Sequence, residues 1–600
     1  MASPATTHTV RPLDGLCLET VPGPGTETAA ALLRQLGARP GDGAAPAAER
    51  AGTAGTEGRT VLAGAGLGTV SARTTWGEGP AEGPGTALCD EATVQAATGI
   101  MAVHGRRDGA PRGLGADYAE TAAAVLAVQG LLARLVGRAR GGTGTEVRTS
   151  AARAGLLAVS QYLAAEGADE AEAADIAPGG PPFRSAEGTL FELETLQPAA
   201  WAAFWRELGA PEKAIRAGWR PFQFRYATAC APFPHALHTT ASTTPWARIR
   251  AAADRSGAQV CALRTLAGRD IPEGPAVLLE PGPGPADPWP GGAPGEGAPL
   301  AGLTVLEAGR RIQAPLAAHL LGLLGARVIR IEPPGGDPLR GMPPACSGIS
   351  ARWLALNRGK EAVEADITTP AGRRAVLELA SGAEVFLHNW APGKAAALGL
   401  DHGDLAGARP GLVYAYTGGW AGRLPDAPMG TDFMVQARTG VGEAVRPSDE
   451  PPAPSLMTLL DVLGGLLGTQ AVLAGLLLRE RGGTGVRVES SLLGAADLLT
   501  AAARDRLRRG RDPRPPAGFR RPLRTTDGWV AAADLSAAAA RAYDLAHLTT
   551  AEAVALLRSH GLAATAVTHE LGALPTDPRL PGPVGRDAHG ALAVPRPWSL

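Results

Sequence analysis

Short unbroken apolar runs alternate with longer, helically spaced ones through residues 299–510. "LTVLEAG", ending at Gly309, predicts a buried strand. "APLAAHLLGLLGA" predicts a helix closed at Gly325, and "RVIRIEPPGGD" a second strand stopped by proline and glycine. Strand, helix and strand within about thirty residues make a βαβ unit with a parallel pair. "AEVFLHNW" and "GLVYAYTGGW" predict further strands between helical segments. The pattern predicts an α/β fold built on an open, mostly parallel, Rossmann-like sheet. Ligands on such sheets lie beyond the carboxyl ends of the strands, which puts Arg310, Arg311, Ile312 and Gln313 at the expected site.

The longest apolar run, Leu459–Leu478, opens with a single carboxylate, Asp461, after the proline-rich loop "SDEPPAPSLM". It approaches the length of a membrane span. Asp461, Gln470 and the run's many small residues, with an Arg/Glu cluster directly after, predict a closely packed core helix instead. The chain says nearly the same thing earlier, in "ADYAETAAAVLAVQGLLARLVGRARGGTG", with Glu120 in place of Asp461. At an offset of 341, Thr98–Gly99 falls on Thr439–Gly440, Gln129 on Gln470, Ser150 on Ser491, and the two GGTG turns coincide without a gap. A second match, "PLDGLCLET" from Pro12 against "PLAGLTVLEAG" from Pro299, needs an offset of about 288. The chain is thus a duplication whose first copy lacks some fifty residues. The Pro/Gly stretch "PGPGPADPWPGGAPGEGAP" predicts a linker. The expected domains are residues 1–280, a linker over 281–298, and 299–600, divided into a large domain (299–510) and a reduced small domain with a C-terminal return (511–600).

Composition adds exclusions. With 600 residues, 45% apolar content and a formal charge of −1, the chain has the balance of a globular protein of at least two domains and no excess charge for a polyanion. The five cysteines are scattered and form no CxxC pair, so neither a disulfide framework nor a zinc site is expected. The stretch "MASPATTHTVRPLDG" has no apolar core of the signal-peptide kind, and the expected location is cytoplasmic. "RRIQAP" is not a GxGxxG fingerprint and no Walker loop occurs, so neither a dinucleotide nor a triphosphate is signalled. Arg310 and Arg311 read either as a solvated turn or as charge set near an anionic ligand at a helix N-terminus. Asp461 at the start of its helix reads either as a cap worth about 0.5–2 kcal/mol or as a reactive carboxylate.

The second copy resembles the class III (CaiB/BaiF) CoA-transferases along most of its length. The matching stretches include "PLAGLTVLEAGRRIQAPLAAHLLGLLGARVIRIEPPGGDPLR", "LNRGKEAVEADITTPAGR", "AEVFLHNWAPGKAAALGL", "GTDFMVQARTGV" and "LLDVLGGLLGTQAVLAGLLLRERGGTGVRVESSLLGA". The resemblance implies transfer of CoA from an acyl-CoA donor to a small carboxylic acid, with Asp461 as nucleophile and Gln313 beside it as oxyanion donor. It implies CoA contacts from Gln313, Ala314, Asp366, Asn389, Trp390, Ala391 and Thr431. CoA esters are the substrates, and no tightly bound cofactor, metal, nucleic acid or membrane is expected. A related racemase or isomerase, a related acyltransferase, or a CoA-ester-binding pseudoenzyme are the alternatives. Thr431 stands where racemases carry a histidine and one transferase branch a tyrosine, which disfavours two-base racemisation. Arginines that some members place on CoA phosphates are replaced by Pro333 and Ala397, and no glycine-rich loop follows Arg514.

Family members are homodimers whose chains interlock, so a tandem fusion implies an intrachain pseudo-dimer, with further pairing of chains left open. The first copy has lost the "LNRGK…HNW" region, and Gly25 stands where the second copy has Gln313. It is therefore expected to be a structural partner, with any activity at Glu120 left open. Its aromatic segment, "WAAFWRELGAPEKAIRAGWRPFQFRYATACAPFPHAL", is expected to cover the other copy.

Overall fold

The computed structural model describes residues 11–41, 55–78, 88–289, 291–580, 582 and 584–600. The second half contains a seven-stranded sheet in the order Glu361–Glu364, Arg327–Glu332, Thr304–Ala308, Val385–His388, Val413–Gly418, Thr484–Ser491 and Val277–Pro285. Every pairing is parallel except the last. That edge strand carries Pro281 and Pro285, which an edge tolerates because their missing N–H groups break no central ladder. Residues 281–285, within the stretch read as a linker, are therefore sheet.

The first half departs from expectation. Its sheet runs Arg39–Pro40, Cys17–Val21, Glu57–Gly64, Gly68–Thr75 and Glu146–Ser150, and two of the four pairings are antiparallel. A mostly parallel sheet holds for the second half and not for the first. Parallel neighbours need a crossover of a dozen or more residues. Where the first copy has lost its βα units, "GRTVLAGAGLGTVSARTT" closes a hairpin instead, turning through Gly66 and Gly68 at positive φ.

The two long apolar helices, Tyr118–Ala139 and Leu459–Gly482, lie against each other in the core. Tyr118 Oη donates to the Leu459 carbonyl at 3.1 Å and Gln129 Nε2 to the Leu466 carbonyl at 2.6 Å. By length and composition either helix could cross a membrane, but 94% of each apolar window is buried within the structure, as in core helices. Gly464 and Gly465 let the helix Gln313–Leu323 approach: a Cβ at Gly465 would stand 2.9 Å from the Gln313 carbonyl oxygen.

The small sheets are exchanged between halves. The first half's three strands, Phe183–Arg184, Leu190–Glu194 and Gln259–Ala262, pack on the second half's helix Asp432–Thr439, with Cys261 against Met434 and Ala437. The second half's strands, Leu523–Arg524, Trp529–Ala532 and Ala564–Ala566, pack on the first half's helix Glu91–Ala97, with Ala531 and Val567 against Ala92 and Ala96. At the C-terminus Ser599 returns to pair with Arg148 of the first half.

Candidate active site

Asp461 lies in the first turn of Leu459–Gly482, preceded by Thr458, a non-glycine residue in the left-handed region (φ 54°). Such strain persists only where the surroundings hold it. Here the carboxylate of Asp432 does so: its Oδ2 accepts the N–H groups of Leu460 at 2.7 Å and Asp461 at 2.8 Å. Gln436, one turn on, donates through Nε2 to Asp432 and to the Ser455 carbonyl, and its Oε1 accepts the Ser455 N–H. The loop and the helix start are thus locked by one buried acid and one amide.

The first half repeats this device at the same offset of 341. Glu91 accepts the N–H groups of Ala119 and Glu120, each at 2.8 Å, and Gln95 bridges Glu91 to the N–H and carbonyl of Leu114. The sequence repeat carried this signal, because the acid–x₃–Gln pairs Glu91/Gln95 and Asp432/Gln436 coincide in it. Asp432 nonetheless went unread, next to Thr431.

Asp461 is partly accessible, at the edge of a cavity of about 80 Å³ lined on its own half by Arg311, Ile312, Thr431, Asp432, Phe433 and Thr458. The rest of the lining comes from the first half, including Glu194, Trp219, Phe222, Arg225 and Tyr226. Trp219, Phe222, Arg225 and Tyr226 all belong to the aromatic segment. Its Arg225 is buried, with its guanidinium 3.9 Å from the Phe222 ring centre and 4.7 Å from that of Phe433, and is paired to Glu194 at 3.0 Å. Glu194 also accepts the Thr431 hydroxyl at 2.8 Å. Neither Glu194 nor Arg225 was singled out from sequence, because their half is distant in the chain and carries no matching motif.

Among the described residues no hydrogen bond to the Asp461 carboxylate is formed. Burial first, then the adjacent Asp432, hold its pKa well above the ordinary aspartate range; Arg311 opposes them. Asp432 itself is pushed up to about 6 by burial, against its bonds to Gln436 and the helix start. Arg311 is exposed, sits at φ 62° and lies 5.6 Å from the Tyr226 ring centre.

The other residues named from sequence divide. Gln313 is buried and turned to the Gly418 carbonyl at 3.3 Å, packed against Gly464 one turn along from Asp461. Among the described residues its amide makes no hydrogen bond to the Asp461 carboxylate. Ala314 is buried behind it. Asn389 clips the first strand's turn: its Oδ1 accepts the Arg310 N–H and its Nδ2 donates to the Arg310 carbonyl, both at 2.9 Å. Trp390 is 7% exposed, packed on His388 and edge-on to Phe386, a core position rather than an open face. Ala391 is exposed, and Asp366 holds the Thr368 N–H at 3.0 Å.

Glu120 differs from Asp461. Its Oε1 accepts the Gly25 N–H at 2.9 Å, and burial raises its pKa. Beside it Arg520, supplied by the second half, is tied to Asp117 and Asp534, both at 2.6 Å.

The model of CoA-transferase family III matches residues 71–272 and 300–574. The succinyl-CoA:glutarate CoA-transferase of Mus musculus is 35% identical over 198 residues, 32% of this chain and 45% of that protein. A probable fatty acyl-CoA transferase of Mycobacterium tuberculosis is 35% identical over 207 residues (34% and 52%), and the acetyl-CoA:oxalate CoA-transferase of Acetobacter aceti 34% over 198 (32% and 51%). The chain spans about half the length of the curated relatives it matches. Among solved structures, a CaiB/BaiF family protein from Brucella suis superposes with a TM-score of 0.42 at 26% identity, covering 46% of this chain and 86% of that one. The family match, in two segments that together take in most of both halves, establishes that the chain belongs to CoA-transferase family III.

Proposed function

We propose that the chain is an acyl-CoA:carboxylate CoA-transferase with one working site, at Asp461. The observation that carries this is a carboxylate with no hydrogen-bond donor among the described residues, held at a strained helix start beside a cavity that both halves line. An Asp461 oxygen attacks the donor's thioester carbonyl; the C–S bond breaks and CoA thiolate leaves a mixed anhydride. The thiolate then attacks the Asp461 acyl carbon, releasing the donor's carboxylate and forming an aspartyl thioester. The acceptor acid repeats the exchange in reverse, returning Asp461 as a carboxylate and leaving as the new CoA ester. No net proton or electron moves.

The Arg311 guanidinium, which lines the cavity and acts electrostatically on Asp461, is the donor for the developing oxyanions. Asn389 contributes by fixing the first strand's turn. Transfer is favoured over racemisation because Thr431, whose hydroxyl is given to Glu194, supplies no titrating base. The two halves act as an internal pseudo-dimer, the first contributing the cover over Asp461 and its own Glu120 remaining structural. The relatives act on glutarate and oxalate, so a short carboxylic acid is the acceptor class to try first. The setting is cytoplasmic, where CoA esters are made.

Incubation with succinyl-CoA or acetyl-CoA followed by hydroxylamine should convert Asp461 to a hydroxamate detectable by peptide mass spectrometry, and Asp461→Ala should abolish it. Transfer activity without modification at position 461 would overturn the assignment.

A further inference from the structure

A second cavity, of about 440 Å³, lies between the first half's small domain and the proline-rich loop that leads to Asp461. Its volume is within the range of small-molecule sites. One wall is a single face of the helix His235–Ser242, since His235, His238, Thr239 and Ser242 stand at helical spacing and all line it. Arg184 and Arg107 also line the cavity, and among the described residues no carboxylate does. The remaining wall is apolar, formed by Pro182, Leu190 and the prolines of the loop.

The cationic groups here are poorly compensated. Arg107 is 12% exposed at the side chain; its Nη1 donates to the Pro454 carbonyl at 3.1 Å, and its ion pair with Asp108 is loose at 3.9 Å. Burial, then Arg446, push its pKa down to about 10. Glu192, which interacts with it, is fully buried with both carboxylate oxygens unpartnered. Burial raises Glu192 to about 8, so near neutrality it is largely protonated and leaves the guanidinium charge standing. Arg184 has one long bond, to the Gly188 carbonyl at 3.4 Å, and the His238 ring forms no hydrogen bond among the described residues.

We propose that this cavity binds a small organic oxyanion, a carboxylate or a phosphate monoester on an apolar body, with Arg107 and Arg184 taking the anion, the His238 face completing its hydrogen bonds, and the proline wall packing on the body. Planar guanidinium forks match both oxyanions. The occupant touches the segment that delivers Asp461: Pro451, Pro452 and Ala453 line the cavity, Arg107 holds the next carbonyl, and His104 Nδ1 is 2.9 Å from the Ser455 hydroxyl. The site is separate from the Asp461 cavity, and its existence does not depend on the transferase reading.

Isothermal titration of the full chain with phenyl phosphate, benzoate and inorganic phosphate tests it. Saturable binding of phenyl phosphate or benzoate is expected, and which of the two binds tells a phosphate source from a carboxylate source. Arg184 is exposed, so Arg184→Gln should fold as the parent does; it should weaken binding about tenfold or more, as should His238→Gln, whereas Arg311→Gln, at the other cavity, should leave it unchanged. Absence of binding by all three probes, binding of inorganic phosphate alone, or binding that survives Arg184→Gln and His238→Gln but falls with Arg311→Gln would each overturn the proposal.

Discussion

Asp432→Asn is the most informative single change at the helix start. The two N–H bonds received by Oδ2, from Leu460 and Asp461, are charge-assisted. Hydrogen bonds to charged groups are worth about 1.5–3 kcal/mol net and neutral ones about 0.5–1.5, so a neutral acceptor loses about 2 kcal/mol over the pair. Removing an anion from the helix N-terminus adds about 0.3–1 kcal/mol. The asparagine amide must also face Gln436 Nε2, a donor, and Gln436 cannot turn over, because Ser455 engages both ends of its amide. That mismatch leaves a buried donor unmet at about 1–3 kcal/mol, for a total of about 3–6 kcal/mol. The effect on chemistry runs the other way. Asp432 is a like charge that raises Asp461, so its neutralisation lowers the Asp461 pKa and extends the ionised, nucleophilic form to lower pH. Urea unfolding followed by tryptophan fluorescence reads the first effect, and the acid limb of the hydroxylamine-trapping rate against pH reads the second. A stability loss below about 1 kcal/mol, or an acid limb that moves to higher pH, would refute the reasoning.

Arg311→Gln removes the cation that lowers Asp461, so the acid limb of trapping should move to higher pH; no movement would separate Arg311 from the nucleophile. Glu192 has a folded pKa of about 8 against an ordinary 4.5, so the native state holds its proton longer than the unfolded chain. Stability from this group is present below pH 4.5 and lost as pH rises towards 8, and Glu192→Gln should flatten that decline in urea midpoints. Gly464→Ala would place a Cβ 2.8 Å from Gln313 Nε2 and should cost about 1–3 kcal/mol while displacing that amide. Unchanged kcat in that variant would show that the Gln313 amide has no part in turnover. Gly25→Ala, at φ 69° and 3.0 Å from the Glu120 carbonyl oxygen, should cost about 1–2 kcal/mol without altering trapping at Asp461. Lost trapping in a folded Gly25→Ala protein would give Glu120 a role in the reaction.

Four strands of the second half's sheet, Thr304–Ala308, Arg327–Glu332, Val385–His388 and Val413–Gly418, were legible because they are mostly buried and read as apolar runs, whereas the edge strand Glu361–Glu364 is largely exposed and carries no such run. The first half's hairpin was not, although Glu57–Gly64 and Gly68–Thr75 flank a glycine-rich turn, because the duplication led to the expectation that the first copy would resemble the second. Asp461 stood out as a lone carboxylate opening an apolar helix. Asp432, Glu194 and Arg225 did not, since their meaning lies in contacts spanning 29 residues in one case and more than two hundred in the others. Trp390, which follows a strand, packs on Phe386 and His388. Gln313 was placed in the right turn, but side-chain direction is not written in spacing, and its amide points to Gly418.

In an assembly of identical subunits, any change to the segment roofing one reaction centre is made at its twin as well. Here the wall carrying Trp219, Phe222 and Arg225 and the floor carrying Asp461 are separate stretches of one polypeptide, each present once. A substitution in that wall therefore alters this cavity alone and leaves the surroundings of Glu120, built from other residues, as they were.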